Sequence, residues 1–262
     1  MVNSISSHLP GDFPWQVHWF SSIDSTNTQA KRMAREGAPQ GTVLIAGHQS
    51  GGRGRMGRSF SSPAGSGLYL SVILRPGCAA TELMHLTCAA GVAACDAVES
   101  TCGMRPGIKW INDLVIKDRK LGGILTEMSV DAKTGLVEYA VIGIGINCLQ
   151  APEDFPAELQ SMAISLKAAG CVPDMGLLAA NLIHALYKMS LQLQDHLSTM
   201  AAYRRDCITL GREVVVLKGG EKQYGTALDV DAEGALIVRF QDGSSSAVNS
   251  GEVSVRGMYG YV

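Results

Sequence analysis

The chain has 262 residues, 46% of them hydrophobic, and a formal net charge of −2; this is enough to bury one large core plus a small second unit, and too acidic for a general nucleic-acid binder, which would carry a basic surplus. Its seven cysteines show no Cys-x-x-Cys pair and fall in apolar runs, as Cys88, Cys95 and Cys148 do, which predicts reduced buried thiols rather than disulfides or zinc. No apolar run reaches membrane-spanning length and residues 1–20 lack a signal-peptide core, so a cytoplasmic protein is expected.

Residues 1–20 read as a short leader packed down by Trp15 and Trp19. Ser22 to Asn27 is dense in cap-forming side chains and precedes a helical stretch with Ala30, Met33 and Ala34 on one face and Gly37 as its stop. One cap needs one such side chain, so the surplus in Ser25, Thr26 and Asn27 is available to a ligand. Thr42 to Ala46 reads as a strand, followed by Gly51-Gly52-Arg53-Gly54-Arg55-Met56-Gly57-Arg58 and a second strand with alternating Leu68, Leu70, Val72 and Leu74. Glycine loses backbone entropy on ordering and the arginines repel one another, so this loop is expected to hold no regular shape alone and to wait for an anion. Guanidinium forks and an approachable backbone suit phosphate oxygens.

Thr81 to Thr101 has the length and small apolar content of a buried helix that covers one sheet face. Ile108 to Ile116, the turn Lys117-Asp118-Arg119 and the run Lys120 to Val130 read as a hairpin that puts Lys109 and Lys120 near opposite ends of adjacent strands. A turn at Asp131 to Gly135 feeds the apolar strand Val137 to Ile146, where Gly143 and Gly145 predict a close approach to the backbone. After a loop punctuated by Pro152 and Pro156, Met175 to His196 and Thr199 to Leu210 read as amphipathic helices. From Gly211 the texture changes to short alternating strands, Glu213 to Lys218, Gln223 to Asp229, Ala235 to Phe240, Ser245 to Asn249 and Glu252 to Arg256, joined by Gly-Gly, Asp-x-Glu-Gly and Asp-Gly turns. That is the pattern of a small β-barrel, so the chain divides into a leader (1–20), a main domain (21–210) and a small domain (211–262).

Gly47 to Gly52 supplies the frame of a nucleoside-triphosphate cradle, but Arg53 stands where lysine is wanted and Gly54 where a hydroxyl should meet magnesium. Gly143-Ile144-Gly145 likewise begins a dinucleotide fingerprint without its third glycine or the following helix. No serine-histidine-aspartate or cysteine-histidine spacing competes with the cations. A cationic array with little nucleophile suits phosphoryl or adenylyl transfer, where the protein positions two substrates and neutralises charge.

Five segments occur in an order that resembles the biotin protein ligases: Ser25-Thr26-Asn27; Gln49 with Gly52 to Arg58; Lys109-Trp110-Ile111-Asn112-Asp113; Asp118 to Leu125; and Gly143-Ile144-Gly145-Ile146-Asn147. They span the chain from about Ser22 to Asn147, and the terminal strands resemble the family's small C-terminal domain. The resemblance implies an α+β fold, with a mixed central sheet flanked by helices like a class II synthetase catalytic domain and a small SH3-like β-barrel. It implies a ligase that joins biotin to ATP, with Mg2+ expected, to give biotinyl-5′-AMP and diphosphate. A lysine of a biotin carboxyl carrier protein then takes the biotin and AMP leaves.

By the same resemblance Ser25, Thr26, Asn27, Gln49, Arg53, Gly54, Arg55, Lys120, Gly122 and Gly123 bind biotin, and Arg53, Arg55, Arg58, Phe60, Lys109, Asn112, Lys120, Gly145 and Asn147 surround the nucleotide. Lys120, Arg55 and Lys109 stabilise the reacting charges, and Asp113 is the candidate to orient or receive the proton of the carrier lysine. Two positions depart from the family: Ile111 stands where proline is frequent, and Phe60 where tryptophan is common. The short leader lacks the winged-helix segment of members that bind DNA, so a monofunctional enzyme without DNA or membrane partners is expected. A strand edge of the central sheet would serve a second subunit, giving a homodimer, or the carrier. The rival readings are a lipoate or octanoate ligase of the same architecture, which the hydroxyl cluster disfavours, and a nucleic-acid-binding module, which the net charge disfavours.

Overall fold

A computed structural model of the chain describes residues 2–218, 221–249 and 252–255. The elements in chain order are α1 (Val2–Ser6), β1 (Gln16–Phe20), α2 (Thr26–Arg35), β2 (Thr42–Ala46), β3 (Gly67–Leu74), α3 (Leu86–Cys102), β4 (Gly107–Lys109), β5 (Asp113–Ile116), β6 (Arg119–Val130), β7 (Val137–Asn147), α4 (Leu166–Ala169), α5 (Met175–Leu191), α6 (His196–Asp206), β8 (Glu213–Lys218), β9 (Glu221–Val230), β10 (Leu236–Phe240), β11 (Ser245–Val248) and β12 (Glu252–Val255). None of the described helices is long and apolar enough to cross a membrane.

Seven strands form a mixed sheet in the order β1-β2-β3-β7-β6-β5-β4. Only β1 and β2 are parallel, and every later neighbour is antiparallel. Every residue of β3 is buried because helices cover both faces of the sheet. Ala30 and Ala34 of α2 meet Leu44, Ile73, Tyr139 and Val141 on one face, and α3 and α5 build the larger core on the other. α3 can lie close to β4 because a Cβ on Gly91 would already be 3.1 Å from Ile108 Cδ1. It begins later than its sequence predicts, after a short 3-10 turn at Ala80–Leu83, and ends on Gly103 in the left-handed conformation (φ 65), whose N–H bonds Glu99 O.

Residues 2–20, read as a leader, form part of this layer. β1 pairs with β2 along its whole length, Trp15 packs over Gly41, and Phe13 and Trp15 meet Tyr187 of α5 edge to face at 5.2 and 5.6 Å. The stretch Ile108 to Ile116 is not one strand. The chain reverses at Trp110 to Asn112, where the Trp110–Ile111 peptide is cis, and β4 and β5 become a hairpin with Lys109 opposite Asp113. The β5–β6 turn follows expectation, with Lys117 and Asp118 at φ 50 and 55, the positive angles that a tight two-residue hairpin needs.

The small domain is a five-stranded antiparallel sheet in the order β11-β10-β9-β8-β12. The Gly219-Gly220 turn, Arg256 as a strand end and residues 257–262 lie outside the described residues. Contacts that fasten the sheet to the main domain include Arg204 Nε to Asp229 Oδ1 and to Val230 O, both at 2.8 Å, and the Trp110 indole N–H to Gly234 O at 2.9 Å.

Candidate active site

Ser25 caps α2, its Oγ 3.5 Å from the Thr28 N–H. The helix start therefore uses one hydroxyl, and the next two side chains turn inward against the sheet. Thr26 donates its backbone N–H and its hydroxyl to Gln49 Oε1 at 2.8 and 3.1 Å, and Gln49 Nε2 donates to Ser62 Oγ at 2.8 Å. Asn27 Nδ2 donates to Leu125 O at 3.2 Å and to Glu127 Oε2 at 3.1 Å. Both partners are acceptors only when Glu127 is ionised, so the amide nitrogen must face them. Asn27 Oδ1 then faces Ser71 Oγ, 2.7 Å away, and the backbone of Gly143.

These side chains close one end of a narrow slot of about 40 Å³. Its floor is the glycine pair of β7. A Cβ on Gly143 would collide with Asn27 Oδ1, and one on Gly145 would lie 2.5 Å from the Phe60 ring. The close approach that these glycines predict is thus made by the protein's own side chains. Arg53, Leu70, Gly123, Ile124 and Leu125 complete the lining.

The arginine–glycine loop has a regular shape that its own residues do not foretell, a tight hairpin. Phe60 N–H bonds Gly52 O at 2.9 Å, Gly54 N–H bonds Arg58 O at 2.7 Å, and Arg53 bridges Ser59. The tip turns through Met56 and Gly57 at φ 55 and 77. Mutual repulsion does not undo it because the cations point to different acceptors. Arg53 Nη1 lies 3.0 Å from each Glu127 oxygen, and Arg55 Nη1 donates to Asn112 Oδ1 at 3.1 Å. Burial lowers the Arg55 pKa from its ordinary value, and the charge of Asp113 opposes that shift.

Beyond the slot a larger cavity of about 270 Å³ opens. Arg55, Arg58, Phe60, Lys109, Asn112, Asp113, Lys120 and Asn147 line it, with Trp110, Phe155, Leu159, Met162, Ala163 and Val253 supplying apolar walls. Lys120 Nζ donates to Asp113 Oδ1 at 2.7 Å, and Lys109 is buried, 8% exposed. Lys109 and Lys120 do not sit on adjacent strands as expected. The reversal at Trp110 inserts β5 between them, and both face the one cavity. The backbone of Lys120 binds Met162 O and the Ile164 N–H at 2.7 and 2.9 Å, and Asn147 Nδ2 donates to Ile164 O at 3.2 Å. These bonds fasten the stretch after β7 as one wall.

Phe60 and Asn112 belong to both spaces. Gly123 lies at the junction, where a Cβ would be 3.6 Å from Lys120 Nζ and 3.8 Å from Asp113 Oδ1. The polar end at Gly143 and the junction end at Gly145 are two residues apart on β7, about 7 Å. An acid laid in the slot would reach the Lys120 ammonium with its far end. Of the residues proposed from sequence, Gly54 and Gly122 line neither space. Gly54 lets the hairpin close on Arg58, and a Cβ on Gly122 would strike Gly145 O. Sequence reasoning missed Ser71, Ser62, Glu127 and the wall at 155–163; Ser71 alone carried a signal, as the single polar residue in the apolar β3.

Two family models match the chain: the biotin/lipoate A/B protein ligase family over residues 19–147 and the biotin protein ligase C-terminal domain over residues 209–256. The bifunctional ligase/repressor BirA of Bacillus subtilis is 36% identical over 227 residues, covering 84% of this chain and 68% of that protein. The biotin–(acetyl-CoA-carboxylase) ligase of Mycobacterium tuberculosis is 34% identical over 245 residues, covering 91% and 88%. Among solved structures, the biotin protein ligase of Aquifex aeolicus in complex with biotin and ATP superposes with a TM-score of 0.77 at 27% identity, covering 93% of this chain and 99% of that one.

Proposed function

The chain belongs to the biotin protein ligase family, and on that premise we propose that it activates biotin with ATP and passes the biotin to a lysine of a carboxylase carrier protein. The observation that carries this reading is the slot with hydrogen-bonding side chains at its closed end and Lys120 at its open one. The ureido head of biotin is neutral and brings N–H donors. Asn27 Oδ1, the one oxygen of that carboxamide, accepts such a donor, while Thr26 and Ser25 supply hydroxyls. A dithiolane head offers no N–H, which favours biotin over lipoate.

In the first step a carboxylate oxygen of biotin attacks the α-phosphorus of ATP, and the bond from that phosphorus to the bridging oxygen of diphosphate breaks. Negative charge builds on the phosphoryl oxygens as this happens. Lys120, held by Asp113, and Lys109 and Arg55 along the same cavity neutralise it without moving. Asp113 fixes Lys120 and Asn112 fixes Arg55 before substrate arrives, so little reorganisation remains for the reaction itself. Phe60 separates acid from nucleotide and leaves the junction beside Gly123 for the reacting atoms. Mg2+ would enter with the phosphates, because Asp113 is the one carboxylate lining the cavity among the described residues and Mg2+ needs few protein ligands when phosphates supply the rest. Its contribution is to offset phosphate charge.

In the second step the amine of the carrier lysine attacks the acyl carbon of the adenylate and AMP leaves. That amine is protonated near neutral pH, and Asp113, at the junction, is the carboxylate that can take the proton. The hairpin over the slot excludes water, which would otherwise hydrolyse the mixed anhydride. β1, at the sheet edge, offers backbone groups to a second copy or to the carrier, and the reduced thiols suit a cytoplasmic protein.

Mass spectrometry of the protein with ATP, Mg2+ and either biotin or lipoate tests the reading. Biotinyl-AMP should form and lipoyl-AMP should not. An adduct with lipoate alone would overturn it.

A further inference from the structure

Glu127 lines neither cavity, yet three donors from two separate parts of the site converge on it. Lys31 Nζ lies 2.7 Å from Oε1, Asn27 Nδ2 3.1 Å from Oε2, and Arg53 Nη1 3.0 Å from both oxygens. Burial alone would favour the neutral acid, but the bonds from Lys31 and Asn27 and the charge of Arg53 hold Glu127 below the usual carboxylate range. Lys31 by itself would suffice to tie α2 to β6. The other two contacts do something different. Asn27 has both amide hydrogens engaged, by Leu125 O and Glu127, and its carbonyl oxygen takes one bond from Ser71 Oγ at 2.7 Å, so the second lone pair of that oxygen is what meets a donor in the slot. Arg53 places its guanidinium on Glu127, which fixes the near end of the hairpin, while Arg55 and Arg58 further along it reach the larger cavity.

We propose that Glu127 is a positioning residue that couples the two halves of the site: one carboxylate orients the Asn27 carboxamide at the head of the slot and anchors the hairpin through Arg53. A ligand N–H bonded to Asn27 Oδ1 polarises the amide and strengthens its bond to Glu127, since hydrogen bonds in a chain reinforce one another. Filling the slot and holding down the hairpin are thereby linked. This rests on the ligase reading above.

The test uses the full-length protein and begins with biotinyl-adenylate formation by the unaltered chain, whose absence would sink the ligase reading itself. Glu127→Gln keeps the shape and removes the charge. It should weaken nucleotide-free biotin binding about tenfold and speed release of preformed biotinyl-adenylate about tenfold. Lys31→Met removes the contact that touches neither slot nor hairpin, and should leave both quantities within about twofold. The pair Glu127→Gln with Arg53→Gln should speed adenylate release by less than the product of the two single effects, because each single variant already loses the Arg53–Glu127 contact. Should Glu127→Gln fail to fold, Glu127→Asp retains the charge, shortens the reach and should change both quantities in the same direction. Unaltered biotin affinity and adenylate release in folded Glu127→Gln or Glu127→Asp, or equal changes in Lys31→Met, would overturn the proposal.

Discussion

Gly143→Ala puts one methyl group against the closed end of the slot. The added carbon would overlap Asn27 Oδ1, and restoring an ordinary contact requires the carboxamide to withdraw by more than about 1 Å. It cannot withdraw freely, being held by Ser71 at 2.7 Å, Leu125 O at 3.2 Å and Glu127 at 3.1 Å. Neutral bonds are worth about 1 kcal/mol each and the bond to a carboxylate about 1.5–3 kcal/mol. Losing the charged bond, or it and one neutral bond, costs the fold about 2–4 kcal/mol, and the displaced carbonyl also forfeits its bond to the biotin N–H, about 1–1.5 kcal/mol or about 5- to 12-fold in biotin affinity. Alanine in a strand would otherwise stabilise the fold by about 0.4–1 kcal/mol through the unfolded chain, so a loss cannot come from backbone propensity. Isothermal titration with biotin in the absence of nucleotide, beside a thermal melt, separates binding from folding. Gly145→Ala is the control, because the Phe60 ring edge it meets can swing aside and the penalty should be smaller. A folded Gly143→Ala protein that binds biotin within about threefold of the unaltered chain would refute the reasoning.

Lys120→Met should lower adenylate formation by about 10²- to 10³-fold, the usual effect of removing one preorganised charge, while biotin still binds; normal diphosphate release would contradict that role. Asp113→Ala should slow transfer from preformed adenylate to the carrier more than adenylate synthesis, and equal losses in single-turnover assays would confine Asp113 to aiming Lys120. The pKa of Glu127 is lowered in the fold, so its contribution is fully present above its unfolded pKa, about 4.5, and is lost as pH falls through the lower folded value. Thermal stability should therefore fall below about pH 4.5, with a weaker acid limb in Glu127→Gln; identical acid profiles in melts of the two proteins would rule this out.

Local chemistry made much of this molecule legible. The hydroxyl cluster at Ser25 to Asn27, the turn at Lys117 and Asp118 and the glycines of β7 each follow from a requirement of a few neighbouring residues. What was not legible depends on partners far away in sequence. The arginine loop looked shapeless because the acceptors that let it fold, Asn112 and Glu127, lie 57 and 74 residues further on. Lys109 was misplaced because the pattern of β4 and β5 resembles a single strand, and the reversal shows in the antiparallel pairing of Lys109 with Asp113 and in the bonds at 2.9 and 3.0 Å that tie Asn112 of the turn to Ile124 of β6. The wall at residues 155–163 lacks periodicity altogether and takes its position from the backbone of Lys120.

The indole of Trp110 reaches across to Gly234, and Val253 of β12 stands in the wall of the larger cavity. Trimming this protein to a minimal labelling tool by cutting after α6 would strip a lining residue from the cavity and leave a buried indole donor facing solvent or nothing. Grafting the terminal strands of a distant relative would disturb the same seam. The two parts are thus better exchanged together than separately.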